Sequence, residues 1–440
     1  MQADRKQETD APKASASRST LRRREFMLGA ASAAASLAMP SIVKAQPKTV
    51  PIGVVVGLTG RAGPWGTPVS DAVRLAVEQI NASGGIKSKG GAKIELIVAD
   101  HQSNPQMAGT QTERVIQVNN VLAVIGNATS GATVVGSAAA ERNKTAMLST
   151  DLADALTERG LKYFFRIGPR ASLLAATAVE FVQATAKSTG VVPKRVATIA
   201  DDTTFSQSAI NGVHLKLPGT GWAVQEKISF PAGQVSDFAP ILQRLRLGGV
   251  DLIFHATFAP DGIQLMRTMK ALNYDLIASV HVAGAPYTPE YTANLKQDSN
   301  FVTDAVGFVP ELVAKNALLD KYAQAYKAKF NRDIDDQASL AVTAVGVLYD
   351  ALERCSDLSR EALASALRST DLNQGANPYV VRDGVKFDAK GDNVKARGLV
   401  MQLQNQQQRI VYPVEMGTSK VLWPMPKWSG RPTLRREESR

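Results

Sequence analysis

Ile52–Gly53–Val54–Val55–Val56, then the loop Gly57–Leu58–Thr59–Gly60–Arg61–Ala62–Gly63–Pro64–Trp65–Gly66–Thr67–Pro68, then Val69, Ala72, Val73, Ala76, Val77 and Ile80 decide how this chain folds. The first run is β-branched but for Gly53 and carries no charge, which reads as a strand covered on both faces. The middle stretch, rich in glycine and proline, reads as a loop. The last six positions recur at three- and four-residue spacing, the mark of one apolar helix face, and Asn81–Gly85 ends that helix with turn residues.

The alternation continues in both directions along the chain. Ile94–Val98 reads as a second strand. Asn104–Pro105 reads as an N-cap with proline in the first helical position, opening a helix to about Asn119. Val121–Ile125 is the third strand, Ser130–Asn143 the third helix and Ala146–Leu148 the fourth strand. Further on, strands at Arg195–Ala200, Val224–Ser229, Val250–His255 and Ile277–Val282 alternate with helices at Phe205–Leu217, Phe238–Leu247 and Gly262–Leu272. Helices at Ala317–Phe330, Gln337–Arg354 and Ser359–Arg368 precede a strand-rich end, Val385–Phe387, Gly398–Leu403 and Ile410–Val414. Such alternation predicts an α/β protein of doubly wound parallel sheets. Two series of similar size predict two lobes, dividing near Arg166–Pro169. The late stretch Trp423–Arg440, rich in Pro, Trp and Arg, reads as a loose extension ending in a basic tail at 429–440.

Composition narrows the class. The chain has 440 residues, 44% hydrophobic and 21% charged, an ordinary globular balance. Part of the net charge of +11 sits in residues 1–45, where eight Lys/Arg face four Asp/Glu, and no dense basic block interleaved with aromatics follows. The charge therefore reads as solubility and mild steering, with no nucleic-acid partner. The one cysteine, Cys355, excludes an internal disulfide and reads as a small buried side chain.

Residues 1–45 read as an address. Arg22–Met27 is RRREFM, an Ala/Ser-rich apolar stretch runs from Leu28 to Val43, and Val43–Lys44–Ala45 gives an A-x-A-like end with cleavage expected after Ala45. The paired arginines before Phe26 resemble a twin-arginine export signal. The stretch is too short, too poor in Leu and Ile, and too marked by Pro40 to read as a membrane anchor.

In open α/β sheets ligands bind beyond the carboxyl ends of the strands, so the residues just after each strand are the candidates. Trp65 follows the first strand in its Gly/Pro loop and suits either a ligand wall or a loop anchor. Gly126–Asn127–Ala128–Thr129–Ser130–Gly131 opens a helix with small residues and hydroxyls, which suits either an anion site or plain capping. Asp151 to Asp154, Asp201 to Phe205, His255 to Phe258 and His281 to Gly284 follow other strands. Motifs of the HExxH, GxSxG and CxxC kinds are missing, as is a GxGxxG after the first strand. His101, His214, His255 and His281 show no metal-ligand spacing. The expectation is a binding protein, not an enzyme, with neither metal nor cofactor.

Ile52–Gly53–Val54 through Leu58–Thr59–Gly60, Trp65–Gly66, Ala72–Val73–Arg74–Leu75–Ala76, and Ile80–Asn81–Ala82–Ser83–Gly84–Gly85–Ile86 together resemble the N-terminal signature of the type I periplasmic binding proteins. Asp100 with Pro105, Val124–Ile125–Gly126 with Ser130, Leu156–Thr157–Glu158–Arg159–Gly160 with Phe165–Arg166, and Phe238–Leu242 extend the likeness from about residue 50 to about residue 415. The branch most resembled is that of the leucine/isoleucine/valine-binding proteins, which serve branched-chain amino acid ABC transporters. The resemblance implies two Rossmann-like lobes joined by three crossing strands, residues 48–166 plus 307–379 and residues 167–306 plus 380–428. It implies a monomer in the periplasm that closes on a small solute and delivers it to permease subunits. A sensor of the same fold reporting to a receptor, or an exported α/β enzyme, are the competing readings. By position, Trp65 matches the family's first-loop aromatic and Ser130 the hydroxyl that meets a ligand carboxylate. Asp151–Ala153 matches the next carboxylate loop, one residue shorter here. Phe205 stands where amino-acid binders often have Tyr, and Phe258 near another aromatic. The acid that commonly meets an ammonium falls around Val282–Ala283, where none is present. Asp151, Asp201 or Asp202 would then supply the charge, or the ligand is a carboxylate, amide or hydrophobic acid lacking the ammonium.

Overall fold

The computed structural model describes residues 49–432. Thr49–Val56 (β1) forms the interior of a five-stranded sheet with Lys93–Asp100 (β2), Ala123–Asn127 (β3), Ala146–Ser149 (β4) and Phe164–Arg166 (β5), all parallel in the order β2-β1-β3-β4-β5. Ile52, Val54, Val55 and Val56 are fully buried. That is why the run carries no alternation: helices cover both faces of the sheet. The helices that follow these strands are Gly63–Ala82 (α1), Pro105–Gln117 (α2) and Ser130–Arg142 (α3).

After β5 the chain enters helix Ala171–Thr189 (α4) and a second sheet. Arg195–Asp201 (β6), Ala223–Phe230 (β7), Leu252–Ala256 (β8), Ala278–Val282 (β9) and Thr303–Val306 (β10) are its parallel strands, with helices Thr204–Lys216 (α5), Ala239–Leu247 (α6), Ala259–Ala271 (α7) and Pro289–Leu295 (α8) between them. Helices Ala317–Phe330 (α9), Asp336–Arg354 (α10) and Arg360–Arg368 (α11) then return to the first sheet. There α10 packs on α1, and the Tyr322 hydroxyl of α9 donates to the Ala72 carbonyl at 2.7 Å. A two-stranded pair, Asp371–Asn373 (β11) with Gly384–Lys386 (β12), precedes Leu399–Gln404 (β13) and Gln407–Tyr412 (β14). These last two add antiparallel to the second sheet, whose order is β14-β13-β10-β9-β8-β6-β7.

The expected change of lobe at 379/380 falls short of where the chain changes sheets. Residues 384–393 run beside β5: Phe387 packs on Phe165 at 5.1 Å, and the Gly391 carbonyl accepts from the Arg166 N–H at 2.8 Å. Only at Leu399 does the chain join the second sheet. The cause is the buried Arg166 guanidinium, which donates to Asp392 at 2.7 Å and holds this segment against the first sheet.

Other expectations need correction. Helix α1 begins at Gly63, so Trp65 stands in its first turn, not in a loop, and Pro68 is carried inside the helix. Pro68 stands in the second turn of the helix, near its start, where few backbone N–H groups have intrahelical acceptors to lose. No strand is expected at β10: it has four residues with Asp304 among them, yet it lies in mid-sheet and is wholly buried. The stretch from Trp423 is no loose extension as far as residue 432. Trp423 Nε1 donates to the Val191 carbonyl at 3.0 Å, and Trp428 Nε1 to that of Tyr274 at 3.0 Å. Arg431 stacks on Trp428 at 3.3 Å. Residues 1–45, expected to be an export signal, and the tail beyond 432 lie outside the described residues. Among the described residues no helix is long and apolar enough to cross a membrane.

Candidate functional site

The carboxyl ends of both sheets face one cleft, and short polar bonds fix the loops there. On the first sheet, Asp100 at the end of β2 accepts from the Leu58 N–H at 2.9 Å and from Thr59 Oγ1 at 2.6 Å. Ser103 Oγ accepts from the Ala62 N–H at 2.8 Å and donates to the Thr59 carbonyl at 2.7 Å. The loop after β1 is thus tied to the loop after β2, and α1 starts from a fixed point. At Gly66 a Cβ would stand 2.1 Å from the Gly57 carbonyl oxygen, so only glycine lets the first turn of α1 seat against the loop. This delivers Trp65, 6% exposed, to the cleft.

Ser130 opens α3. Thr129 is its N-cap and makes no side-chain capping bond among the described residues. The first-turn N–H groups of a helix have no intrahelical acceptor and carry its positive end. Ser130 Oγ accepts from the Ala153 N–H at 3.3 Å. Behind it, Asp151 accepts from Thr133 Oγ1, and from Ser149 Oγ at 3.1 Å. Burial pushes the Asp151 carboxyl above the usual carboxylate range, and these hydroxyls oppose the shift.

On the second sheet, Asp201 at the end of β6 accepts from Thr203 Oγ1 at 2.6 Å and from the Phe258 N–H at 3.1 Å, setting the starts of α5 and α7 together. Phe205 lies in the first turn of α5, and Phe258 is the N-cap residue of α7. Ala283, with φ of 47°, turns the chain after β9. The next N–H, of Gly284, donates to Asp304 at 3.2 Å. Asp304 is wholly buried. Desolvation drives its carboxyl well above the normal range, and the nearby Asp336 adds to the shift.

Between the sheets lie an outer cavity of about 300 Å³ and an inner one of about 30 Å³. Trp65, Thr129, Ser130, Phe205 and Phe258 line both. Trp65 meets Phe258 edge-on at 4.6 Å, and Phe205 meets Phe258 at 6.1 Å, so three aromatics form one wall. Trp65 Nε1 donates to the Tyr287 hydroxyl at 2.6 Å. Beyond that pair lies a larger groove of about 780 Å³. At the outer mouth Arg61, from the first half, donates to the Ala232 carbonyl at 2.9 Å and approaches Asp261 at 3.6 Å, both in the second.

Of the residues proposed from sequence, Trp65, Ser130, Phe205 and Phe258 face both cavities, Asp202 the outer, and Asp151 and Ala283 the inner. Ala153 lines neither; it stands behind Ser130. Asp201 is occupied by the two loops it joins, and Asp202 accepts from the Ala232 N–H at 3.0 Å. Arg61, Tyr287 and Gln337 went unnoticed. Arg61 lies in the turn Gly60–Ala62 between β1 and α1, where a single arginine belongs to no motif. Tyr287 and Gln337 come from segments distant in sequence, and only the tertiary arrangement brings them in. His255 and His281 do converge, their rings stacked at 4.5 Å inside the second sheet. Among the described residues no group of three or more His, Cys, Asp or Glu is placed to hold a metal ion.

Comparison with known proteins fits this geometry. A Leu/Ile/Val-binding protein homolog 7 of Brucella melitensis biotype 1 is 27% identical over 419 residues, covering 91% of this chain and 97% of that protein. The branched-chain amino acid transporter substrate-binding protein LivJ of Streptococcus pneumoniae, solved with isoleucine, matches with a TM-score of 0.72 at 22% identity, over 82% of this chain and 98% of that one. A solute-binding protein of an ABC transporter from R. palustris, solved with benzoate, matches with a TM-score of 0.70 at 16% identity, over 82% of this chain and 95% of that one. These two structural likenesses are likenesses of fold. The family model described as periplasmic binding protein matches residues 49–408, and the chain belongs to that family.

Proposed function

We propose that this protein is the extracytoplasmic substrate-binding component of an ABC importer, holding a small carboxylate-bearing solute between two lobes and presenting the closed form to permease subunits. The observation that carries the reading is the convergence of helix starts from both sheets on one cavity: α3 at Ser130, α5 at Thr204 and α7 beside Phe258. Helix N-termini favour an anion, and free N–H groups supply its hydrogen bonds. The lobes we propose are those expected from sequence, with the last change of lobe moved to residues 394–398, where the chain leaves β5 for β13. Ligand binding across such lobes shifts the population toward closure. Residues 1–45 would serve as a cleaved export signal of twin-arginine type, placing the protein in the periplasm as a monomer.

Two ligand classes fit the cavity. Branched-chain amino acids are supported by the relatives' names and by the isoleucine complex of the Streptococcus protein. Aromatic or aliphatic acids without an ammonium are supported by the three-ring wall of Trp65, Phe205 and Phe258, and by the benzoate complex of the R. palustris protein. Isothermal titration with amino acids, amides, and aliphatic and aromatic acids is the test. Ser130→Ala is expected to weaken the best ligand by about 1–3 kcal/mol through the lost hydrogen bond. Unchanged affinity in that variant, or no binding across the panel, would remove the carboxylate site from Ser130.

A further inference from the structure

The parallel strands of the second sheet end at the cleft, and their starts form the opposite edge of that half. Among the described residues nine large apolar side chains are exposed, and four of them, Val192, Leu215, Val224 and Leu247, stand on this edge near the starts of β6, β7 and β8. Leu247 is 86% exposed and Leu215 78%. Single apolar residues scattered over a surface are ordinary, but these are joined. His214 and Leu217, which flank Leu215 at the end of α5, line one surface cavity of about 530 Å³ with Trp222 and Val224. The Ala223 N–H donates to the Lys194 carbonyl at 2.9 Å, and Arg195 Nη1 donates to the Gly248 carbonyl at 2.8 Å. These two bonds carry the edge from Val224, past the segment that holds Val192, to the turn that holds Leu247.

The charges beside these residues are mostly of one sign. Lys187, Lys194, Arg195, Lys216, Arg244 and Arg246 are all exposed. Glu226 and Asp251 stand among them, and both are engaged. Glu226 pairs with Arg244 at 2.7 Å, and Asp251 accepts from the N–H groups of Lys194 and Arg195 at 3.0 Å. Farther along the edge Asp298 pairs with Lys270, and Asp275 accepts from the Trp428 N–H. Cations in a last helical turn answer the negative end of the helix dipole, which accounts for Lys187, Lys216, Arg244 and Arg246. The dipole does not account for Leu215 and Leu247, which face water in the last turns of α5 and α6 and gain no burial there.

We propose that this edge docks the protein on an anionic membrane surface. Leucines and valines rimmed by long basic side chains match such a surface: the apolar groups enter the boundary of the acyl chains, and Lys and Arg reach the phosphates. The cleft lies at the other end of the strands, so the docked protein holds its cleft away from the membrane, open to solute. The proposal is independent of which ligand the cleft takes.

Vesicle co-sedimentation of the chain from Gln46, which holds every described element, tests this. Vesicles of phosphatidylcholine with about a third phosphatidylglycerol are expected to bind at least about tenfold more tightly than pure phosphatidylcholine, with the preference shrinking at high salt. Leu215→Ser with Leu247→Ser, and separately Lys194→Glu with Lys216→Glu, are each expected to weaken that binding at least about fivefold. Val118→Ser with Val414→Ser, exposed apolar sites elsewhere, should leave it unchanged. Thermal melts and ligand titration check that the fold and the cleft are intact in every variant. Equal binding to both kinds of vesicle overturns the inference, as does phosphatidylglycerol binding that both edge variants retain. Self-association in light scattering that the double serine variant abolishes, without vesicle binding, overturns it too and assigns the edge to a second copy of the chain. None of these outcomes touches the ligand site.

Discussion

The indole of Trp65 and the phenol of Tyr287, 222 residues apart in the chain, share a buried hydrogen bond of 2.6 Å. Trp65 rides on α1 over the first sheet, and Tyr287 follows β9 of the second, so the bond exists only while the two halves are together. Tyr287→Phe leaves the indole N–H buried without an acceptor, a cost of about 1–3 kcal/mol on the joined arrangement. Weaker ligand binding and a larger radius of gyration in ligand-free scattering are the expected outcomes. Identical scattering and affinity would show that the bond takes no part in closure.

Arg61 spans the mouth of the same cleft, but its side chain is 51% exposed. Its partner Asp261 is buried, at 3% exposure, but the 3.6 Å separation and the solvated guanidinium hold the pair's contribution to about 1 kcal/mol, screened by salt. Arg61→Ala is therefore expected to speed ligand dissociation by no more than about fivefold, with a smaller effect at high salt. Stopped-flow dissociation at two ionic strengths checks this; a change of a hundredfold would mean that Arg61 touches the ligand itself.

Near the passage between the sheets, Arg382 donates to Asp336 at 3.0 Å, with the two side chains 7% and 5% exposed. Arg382→Met strands a buried carboxylate and is expected to cost about 3–5 kcal/mol, whereas Arg382→Met with Asp336→Asn removes the stranded charge and should recover part of that loss. At Gly307 a Cβ would lie 2.1 Å from the Arg382 guanidinium, so Gly307→Ala should displace the arginine and destabilise in the same direction. Urea unfolding of the wild type, Arg382→Met, Asp336→Asn and the double variant measures the coupling; additive losses would mean the pair does not act as a unit.

His255 and His281 are stacked and buried, and burial lowers His255 to about 3 and His281 well below its usual value, the second ring's charge adding to the shift. Unfolding restores a value near 6.5, so the unfolded chain takes protons that the fold refuses. Their contribution is whole above that value and is lost as pH falls toward 3. Asp335, raised to about 6 by burial, acts oppositely, since its share is present at low pH and is lost as pH rises through 6. The difference between wild type and His255→Phe isolates the histidine. Between pH 6 and 4.5 the variant is expected to gain on the wild type by about 1.4 kcal/mol per pH unit. A constant difference across that range would refute the neutral buried ring.

The fold was legible where periodicity is strong. The buried run at β1, the apolar face of α1 and the repeated strand-helix pairs all follow from local patterning, because a parallel strand covered on both faces has no polar position to break it. So too was much of the candidate site, since a parallel sheet puts strand ends and helix starts at one edge, and Trp65, Ser130, Phe205 and Phe258 lie just past their strands. What the linear order hid was anything that depends on segments meeting across the molecule. Asp304 belongs to no motif, and it is buried only because β10 takes its place between β9 and β13. Residues 384–393 stayed with the first sheet because Arg166 needed Asp392. Gln337 and Tyr287 reached the cleft on elements that carry no motif. By itself the amino-acid sequence determined most of the strands and helices, β10 excepted, and the sheet edge at which the candidate site lies. The tertiary structure alone decided which distant polar side chains share that edge, because the pairing of buried charges and hydrogen bonds is settled only when the two sheets are packed.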